Sequence, residues 1–203
     1  MVSVRKILQA LYYIQSKAPK DNTAKSDIMY LLKLIFFADR HHLRHFGFVA
    51  SGDKYEAMKY GPVASAVKDI LYGKMPNANS AELYLLREVE QLSEHDVLVL
   101  KQDTDELSES YKQSLNFSVK TFGKYKQFEL SKITHDYPEW KKHEDKLSRG
   151  IKSVEMDFRD FFDNPKTLKC SKNYDIKEDP FKEADSKFLE TLKEDFSESE
   201  ISC

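Results

Sequence analysis

Residues 31–71 read LLKLIFFADRHHLRHFGFVASGDKYEAMKYGPVASAVKDIL, and how this stretch can pack decides the fold. The helix entering it, from about Ser26, carries Ile28, Leu31, Leu32, Leu34, Ile35, Phe36 and Phe37. That is too apolar for a helix with a wet face. Leu43 and Phe46 continue the stripe while Asp39, Arg40, His41, Arg44 and His45 take other faces. Gly47 stands where a left-handed C-terminal cap ends such a helix. Ser51-Gly52-Asp53 is turn chemistry, and Tyr55 to Tyr60 reads as a short extended run. Pro62 then suits the first position of another helix, with Val63, Val67, Ile70 and Leu71 as its buried face. A stretch of this kind lies inside a domain, with other elements packed around it.

Upstream, Ser3 caps a first helix whose Val4, Ile7, Leu8, Leu11 and Ile14 recur at the spacing of one buried face. Proline disfavours helical geometry in the residue before it, so Ala18-Pro19 stops that helix. Downstream, Leu83–Leu92 and Val97–Leu100 flank Ser93-Glu94-His95-Asp96 and read as a two-stranded hairpin that needs helices beneath it. A helix from Ser108 carries Tyr111, Leu115, Val119 and Phe122; a shorter one holds Phe128, Leu130 and Ile133. Pro138 starts another with Trp140 and Leu147, and Ser153 caps a last core helix with Met156, Phe158, Phe161 and Phe162. The fold class expected is mainly α (α+β): a compact helical domain over 1–165 with a small antiparallel β-hairpin.

Beyond Pro165 the composition changes. Residues 166–203 hold seven Lys against ten Asp and Glu, a net of −3 that leaves the body at +1 of the total −2. Such a charged tail is expected to be partly disordered. Within it Phe181, Ala184, Phe188, Leu192 and Phe196 give an amphipathic helix over 180–196, which needs a surface to dock on, either this domain or a partner.

The bulk numbers narrow the function. The chain has 203 residues, 40% hydrophobic and 33% charged, and a net charge of −2 gives no overall field favouring nucleic acid or an acidic membrane. The two cysteines, Cys170 and Cys203, form neither a disulfide framework nor a metal-ligand spacing. No leader is evident at the N-terminus, and the apolar window Ile28–Ala38 is far short of a membrane span, so the cytoplasm is the expected location.

Catalytic patterns are sparse. His41 and His45 stand four apart on one helix, and Asp39 and His42 three apart, but there is no H-E-x-x-H, and Arg40 and Arg44 oppose a cation at the His41/His42/His45 cluster. No G-x-S-x-G and no phosphate-binding glycine loop occurs. No metal, cofactor or catalytic residue is assigned. The Tyr55–Tyr60 turn fits a protein-binding anchor better, because Tyr and Met tolerate half-wet positions. For Tyr55, Met58 and Trp140, core packing is the competing reading.

The runs FADRHHLRHFG, GDKYEAMKYGPV, LSES and ELSKITHDYPEWK, taken in order, resemble the SocA-like antitoxin family, or Panacea domain, over roughly residues 4–163. The most specific pieces are Gly52-Asp53 with Tyr55-Glu56-Ala57-Met58-Lys59-Tyr60-Gly61-Pro62-Val63, and Thr134-His135 with Pro138 and Trp140. The resemblance implies a non-enzymatic antitoxin that binds and neutralises a cognate toxin protein encoded by an adjacent gene. In one branch of the family it also implies delivery of that toxin to a protease. The partner-binding candidates are Tyr55, Met58, Lys59, Tyr60, His42, His135, Trp140, Phe188 and Leu192. Two other classes stay open. One is a stand-alone, phage-associated regulatory binding module; the other is a metal-dependent hydrolase built on Asp39, His42 and His135.

Overall fold

A computed structural model describes residues 2–75, 78–182 and 188–194. Helix α1 (Val4–Lys17) is capped by Ser3, whose hydroxyl accepts from the Lys6 amide. Helix α2 (Ile28–Phe46) starts where the Asp27 carboxylate accepts from Tyr30 N and ends at Gly47 with φ 82°. Every residue from Tyr30 to Arg44 is buried. The expected dry first half is present, and the expected wet faces of the second half are absent.

After α2 the chain turns back on itself. Strands β1 (Tyr55–Met58) and β2 (Gly61–Ala64) pair antiparallel, with Ala57 opposite Pro62. Pro62 therefore lies in a strand and not at a helix start, which corrects the sequence reading. It is tolerated because β2 is the edge of its sheet and proline has no ladder donor to lose there. Helix α3 (Ser65–Leu71) begins after it, with Ala66 N and Val67 N donating to the Asp53 carboxylate at 3.1 and 2.9 Å.

Helix α4 (Ser80–Leu85) takes up the first part of the stretch expected as a strand. The expected hairpin survives as β3 (Val89–Gln91) and β4 (Val97–Val99). Helix α5 (Glu109–Phe122), capped by Ser108, is the main partner of α2, and the Phe37 and Phe122 rings stack with centroids 3.8 Å apart. Helices α6 (Gln127–Thr134), α7 (Pro138–Lys141) and α8 (Glu144–Ser148) follow as short pieces.

Ser153 does not cap a helix. Strand β5 (Ser153–Glu155) pairs with β1, giving the order β2-β1-β5, and Phe158–Phe162 forms a 3-10 helix. Local apolar spacing suggested an α-helix here, but the free edge of β1 supplies ladder partners that no local pattern reveals. Among the described residues the architecture is mainly helical with two small antiparallel sheets, as the fold class anticipated.

Two buried guanidinium groups explain why the 158–181 segment is held against α2. Arg40 and Arg44 have no exposed surface. Arg40 sets its Nε 3.0 Å from Glu139 Oε1, in a pair with both side chains fully buried, and donates to the Phe161 and Asp163 carbonyls at 2.8 Å each. Arg44 donates to the Phe162 carbonyl at 2.6 Å, Phe161 O at 3.0 Å, Asn164 Oδ1 at 2.7 Å and Phe181 O at 3.3 Å. A buried cation without acceptors is costly, so these carbonyls must stay where they are.

The charged stretch after Pro165 also reaches inward. Phe181 is fully buried, with its ring 6.2 Å from Phe37 and 5.8 Å from Phe122, and the Arg40 guanidinium 4.9 Å from its centroid. The Asp136 carboxylate accepts from Cys170 N at 2.9 Å and Ser171 N at 2.6 Å. Residues 188–194 are helical; Leu189 is buried, Leu192 half-buried, and Lys193 pairs with Asp163 at 2.6 Å. Of the helix expected over 180–196, residues 180–182 form a turn instead, because Phe181 is drawn into the core, while 188–194 are helical and dock on this domain; 183–187 and 195–196 lie outside the described residues.

Removing one partner of a buried pair leaves the other charge uncompensated. Glu139→Ala is expected to destabilise the fold by about 3–5 kcal/mol in urea unfolding. A loss below about 1 kcal/mol would contradict the role given to the pair.

Candidate protein-binding groove

The β1–β2 turn is held by three side chains, each taking one backbone carbonyl. Trp140 Nε1 donates to Met58 O at 2.8 Å, Ser131 Oγ to Tyr60 O at 2.9 Å, and Lys33 Nζ to Pro62 O at 2.6 Å. Gly61, at φ 98°, is required twice over. Its backbone conformation suits glycine, and a Cβ there would collide with Thr134 Oγ1 and stand 3.1 Å from Lys33 Nζ. The His135 ring stacks on Trp140 with centroids 3.6 Å apart and planes 3° apart, which orients the indole. Burial and the neighbouring Lys33 push the His135 imidazole down to about 4, so it is neutral at physiological pH.

This clamp displays Lys59 and Tyr60 beside a groove of about 770 Å³, lined mainly by apolar side chains. Tyr60 is 51% exposed, Phe128 57% and Ile151 49%, values that take them out of the core. The Tyr60 and Phe128 rings meet edge-on at 6.4 Å. Lys59, Lys68 and Lys152 stand around the groove, and the lining carboxylate of Asp27 is occupied by the Tyr30 amide. Lys33 rises from α2 into the floor, 1% exposed, and burial alone lowers its ammonium to about 7.

The structure divides the sequence candidates. Met58, Lys59 and Tyr60 line the groove, with His135 and Trp140 beneath them as positioning residues. Tyr55 is fully buried and its hydroxyl donates to Asp39 at 2.7 Å. His42 is buried too, its Nδ1 donating to Phe48 O at 2.8 Å and its Nε2 3.1 Å from Ser110 Oγ. Neither presents a surface to a partner. Phe188 is exposed and Leu192 packs near Gly47 at the far end of α2, away from the groove side.

Sequence reading passed over Lys33, Ile151 and Tyr72, and placed Phe128 only in a short helix with Leu130 and Ile133. Lys33 did carry a signal, as the one charge between Ile28 and Ala38.

Of the residues proposed for a hydrolase, Asp39 and His42 are held in hydrogen bonds, and His135 is stacked on Trp140 with its Nε2 buried and without a hydrogen-bond partner. Asp39 accepts from Ser51 N at 3.0 Å, from Ser51 Oγ and from Tyr55, and burial raises its carboxyl to about 6 against those bonds. His41 Nδ1 lies 2.9 Å from Ser114 Oγ, and its ring stacks on His45 at 4.0 Å. Among the described residues no group of three or more His, Cys, Asp or Glu is placed to hold a metal ion. No helix among them is long and apolar enough to cross a membrane.

The family model of the antitoxin SocA-like, Panacea domain matches residues 31–141, more than half of the chain. No curated protein and no solved structure matches. The chain belongs to the SocA-like Panacea-domain antitoxin family. The match takes in α2 from Leu31 onward, the clamped turn and α7.

Two outcomes follow from the clamp. Gly61→Ala is expected to cost about 1–3 kcal/mol and to red-shift the emission of Trp140, as its bond to Met58 O loosens. Unchanged stability and emission would contradict the clamp. The Lys33 ammonium is depressed in the fold, so the unfolded chain binds that proton more tightly and the charge costs stability. The penalty is full below pH 7 and declines between about 7 and 10.5. Lys33→Met should therefore raise the urea midpoint at pH 6, with the advantage shrinking by on the order of 2 kcal/mol at pH 9. A pH-independent difference would contradict the burial.

Proposed function

We propose that the protein is an antitoxin that binds and neutralises a cognate toxin protein by direct complex formation, and that the toxin is encoded by an adjacent gene. The groove beside the β1–β2 turn is the contact surface in this reading. The supporting observation is that Tyr60 and Phe128 stand exposed and edge-on while the backbone beneath Tyr60 is fixed by Trp140, Ser131 and Lys33. Exposed aromatics at a well-packed patch are the residues that most often dominate interface energy. Anchors held before binding lose less freedom on association than mobile ones. Masking a toxin surface requires neither cofactor nor catalytic group, and family membership supports an antitoxin-type role.

The test is a pull-down with the tagged protein in its native cells while the neighbouring gene product is expressed. A one-to-one complex is expected, with a partner whose expression alone arrests growth. Tyr60→Ala combined with Phe128→Ala should weaken the complex by at least about thirtyfold, with little change in the unfolding midpoint. Absence of any growth-arresting partner would overturn the antitoxin reading.

A further inference from the structure

Helix α2 buries three cations, Lys33, Arg40 and Arg44, and the chain meets them with different groups. Arg40 has the Glu139 carboxylate at 3.0 Å, and Arg44 distributes its donors over four backbone carbonyls and Asn164 Oδ1. Lys33 has three donors and gives one of them to the Pro62 carbonyl. Among the described residues no charged group moderates it; burial alone accounts for its depressed ammonium. Its position differs from that of the two arginines in one respect: it lines the groove floor.

We infer that Lys33 reads a carboxylate: the groove takes a segment of the partner protein in which an acidic side chain sits among apolar ones, the carboxylate meeting Lys33 Nζ and the apolar neighbours lying against Tyr60, Phe128 and Ile151. Charge complementarity selects this occupant. Lys59, Lys68 and Lys152 surround the groove, and the carboxylate of Asp27 is already bonded to Tyr30 N. An incoming acid would supply the counter-charge that Glu139 supplies to Arg40, in a site shielded enough for the pair to count. Apolar flanking residues are needed as well, because the rest of the lining offers them area and few polar partners.

This inference rests on the antitoxin reading, and its test separates the two. Overlapping peptides tiling the neighbouring gene product are titrated against the wild-type protein and Lys33→Met, and the intact partner is titrated in parallel. Wild type should bind a tile holding Asp or Glu between apolar residues. Exchanging that acid for its amide should weaken binding by about tenfold or more, and Lys33→Met should lose the same factor for tile and intact partner alike. The amide tile should lose nothing further on Lys33→Met, the coupling that marks a direct pair. Lys33→Met also removes the bond to Pro62 O, so its unfolding midpoint is measured alongside, and the coupling to the acid, not the loss alone, separates a direct pair from a loosened turn.

Undiminished binding of the intact partner by Lys33→Met would overturn the carboxylate site and leave the antitoxin reading standing. Capture of no partner by either protein would overturn both. Concentration-dependent self-association abolished by Lys33→Met, or decanoate binding that depends on Lys33, would assign the groove to a second copy or a small acid and overturn the inference.

Discussion

A helix that buries two guanidinium groups forces the chain around it to supply oxygen, and much of this fold follows from that demand. Arg40 and Arg44 lie one turn apart on α2 with no exposure. Their acceptors are Glu139, the 161–163 carbonyls, Asn164 and the Phe181 carbonyl. Every one of these comes from the second half of the chain. Hydrophobic burial is indifferent to which apolar group fills a space. The guanidinium planes are directional, and they select one placement of the C-terminal segments against α2.

The same helix connects that bonded end to the groove. Its N-terminal part carries Ile28, Leu32 and Lys33 on the groove floor, and its C-terminal part carries the arginines. The four-residue helix α7 joins them a second time. Glu139 faces Arg40 in the core, while its neighbour Trp140 holds Met58 O under the displayed turn. Burial raises the Glu139 carboxyl and the Arg40 guanidinium opposes that rise, so the pair sits where charge is expensive and geometry matters. Rigidity at the Tyr60 turn is inherited from this core rather than made locally. A binding surface with pre-set backbone is the physical result.

Much of this was legible in the sequence wherever local chemistry decides. Ser3, Asp27 and Ser108 cap the helices they precede, and Gly47 takes the left-handed conformation that ends α2. The turn Ser93–Asp96 joins two strands, although its first strand is shortened because Leu83–Leu85 wind into α4. What escaped depends on distant partners. Pro62 and Ser153 read as helix starts until β1 offers each an edge to pair with. Arg40 and Arg44 look like surface residues until Glu139 and the 161–164 backbone arrive. Phe181 sits in a charged stretch that sequence alone marks as mobile, yet its ring completes the stack on Phe37 and Phe122. For the site, the Met58–Tyr60 turn was visible as a half-wet aromatic motif, whereas Phe128 and Ile151 become neighbours of it only in the folded chain.

In the proposed reading, recognition occurs at the clamped turn and its groove. Hydrogen exchange of the full protein, alone and with the neighbouring gene product at saturating concentration, tests it most directly. Added protection is expected in residues 58–63, at the start of α6 and in 147–152, with the arginine-bonded segment unchanged. Protection confined to 166–194, with the turn and groove exchanging as in the free protein, would contradict it.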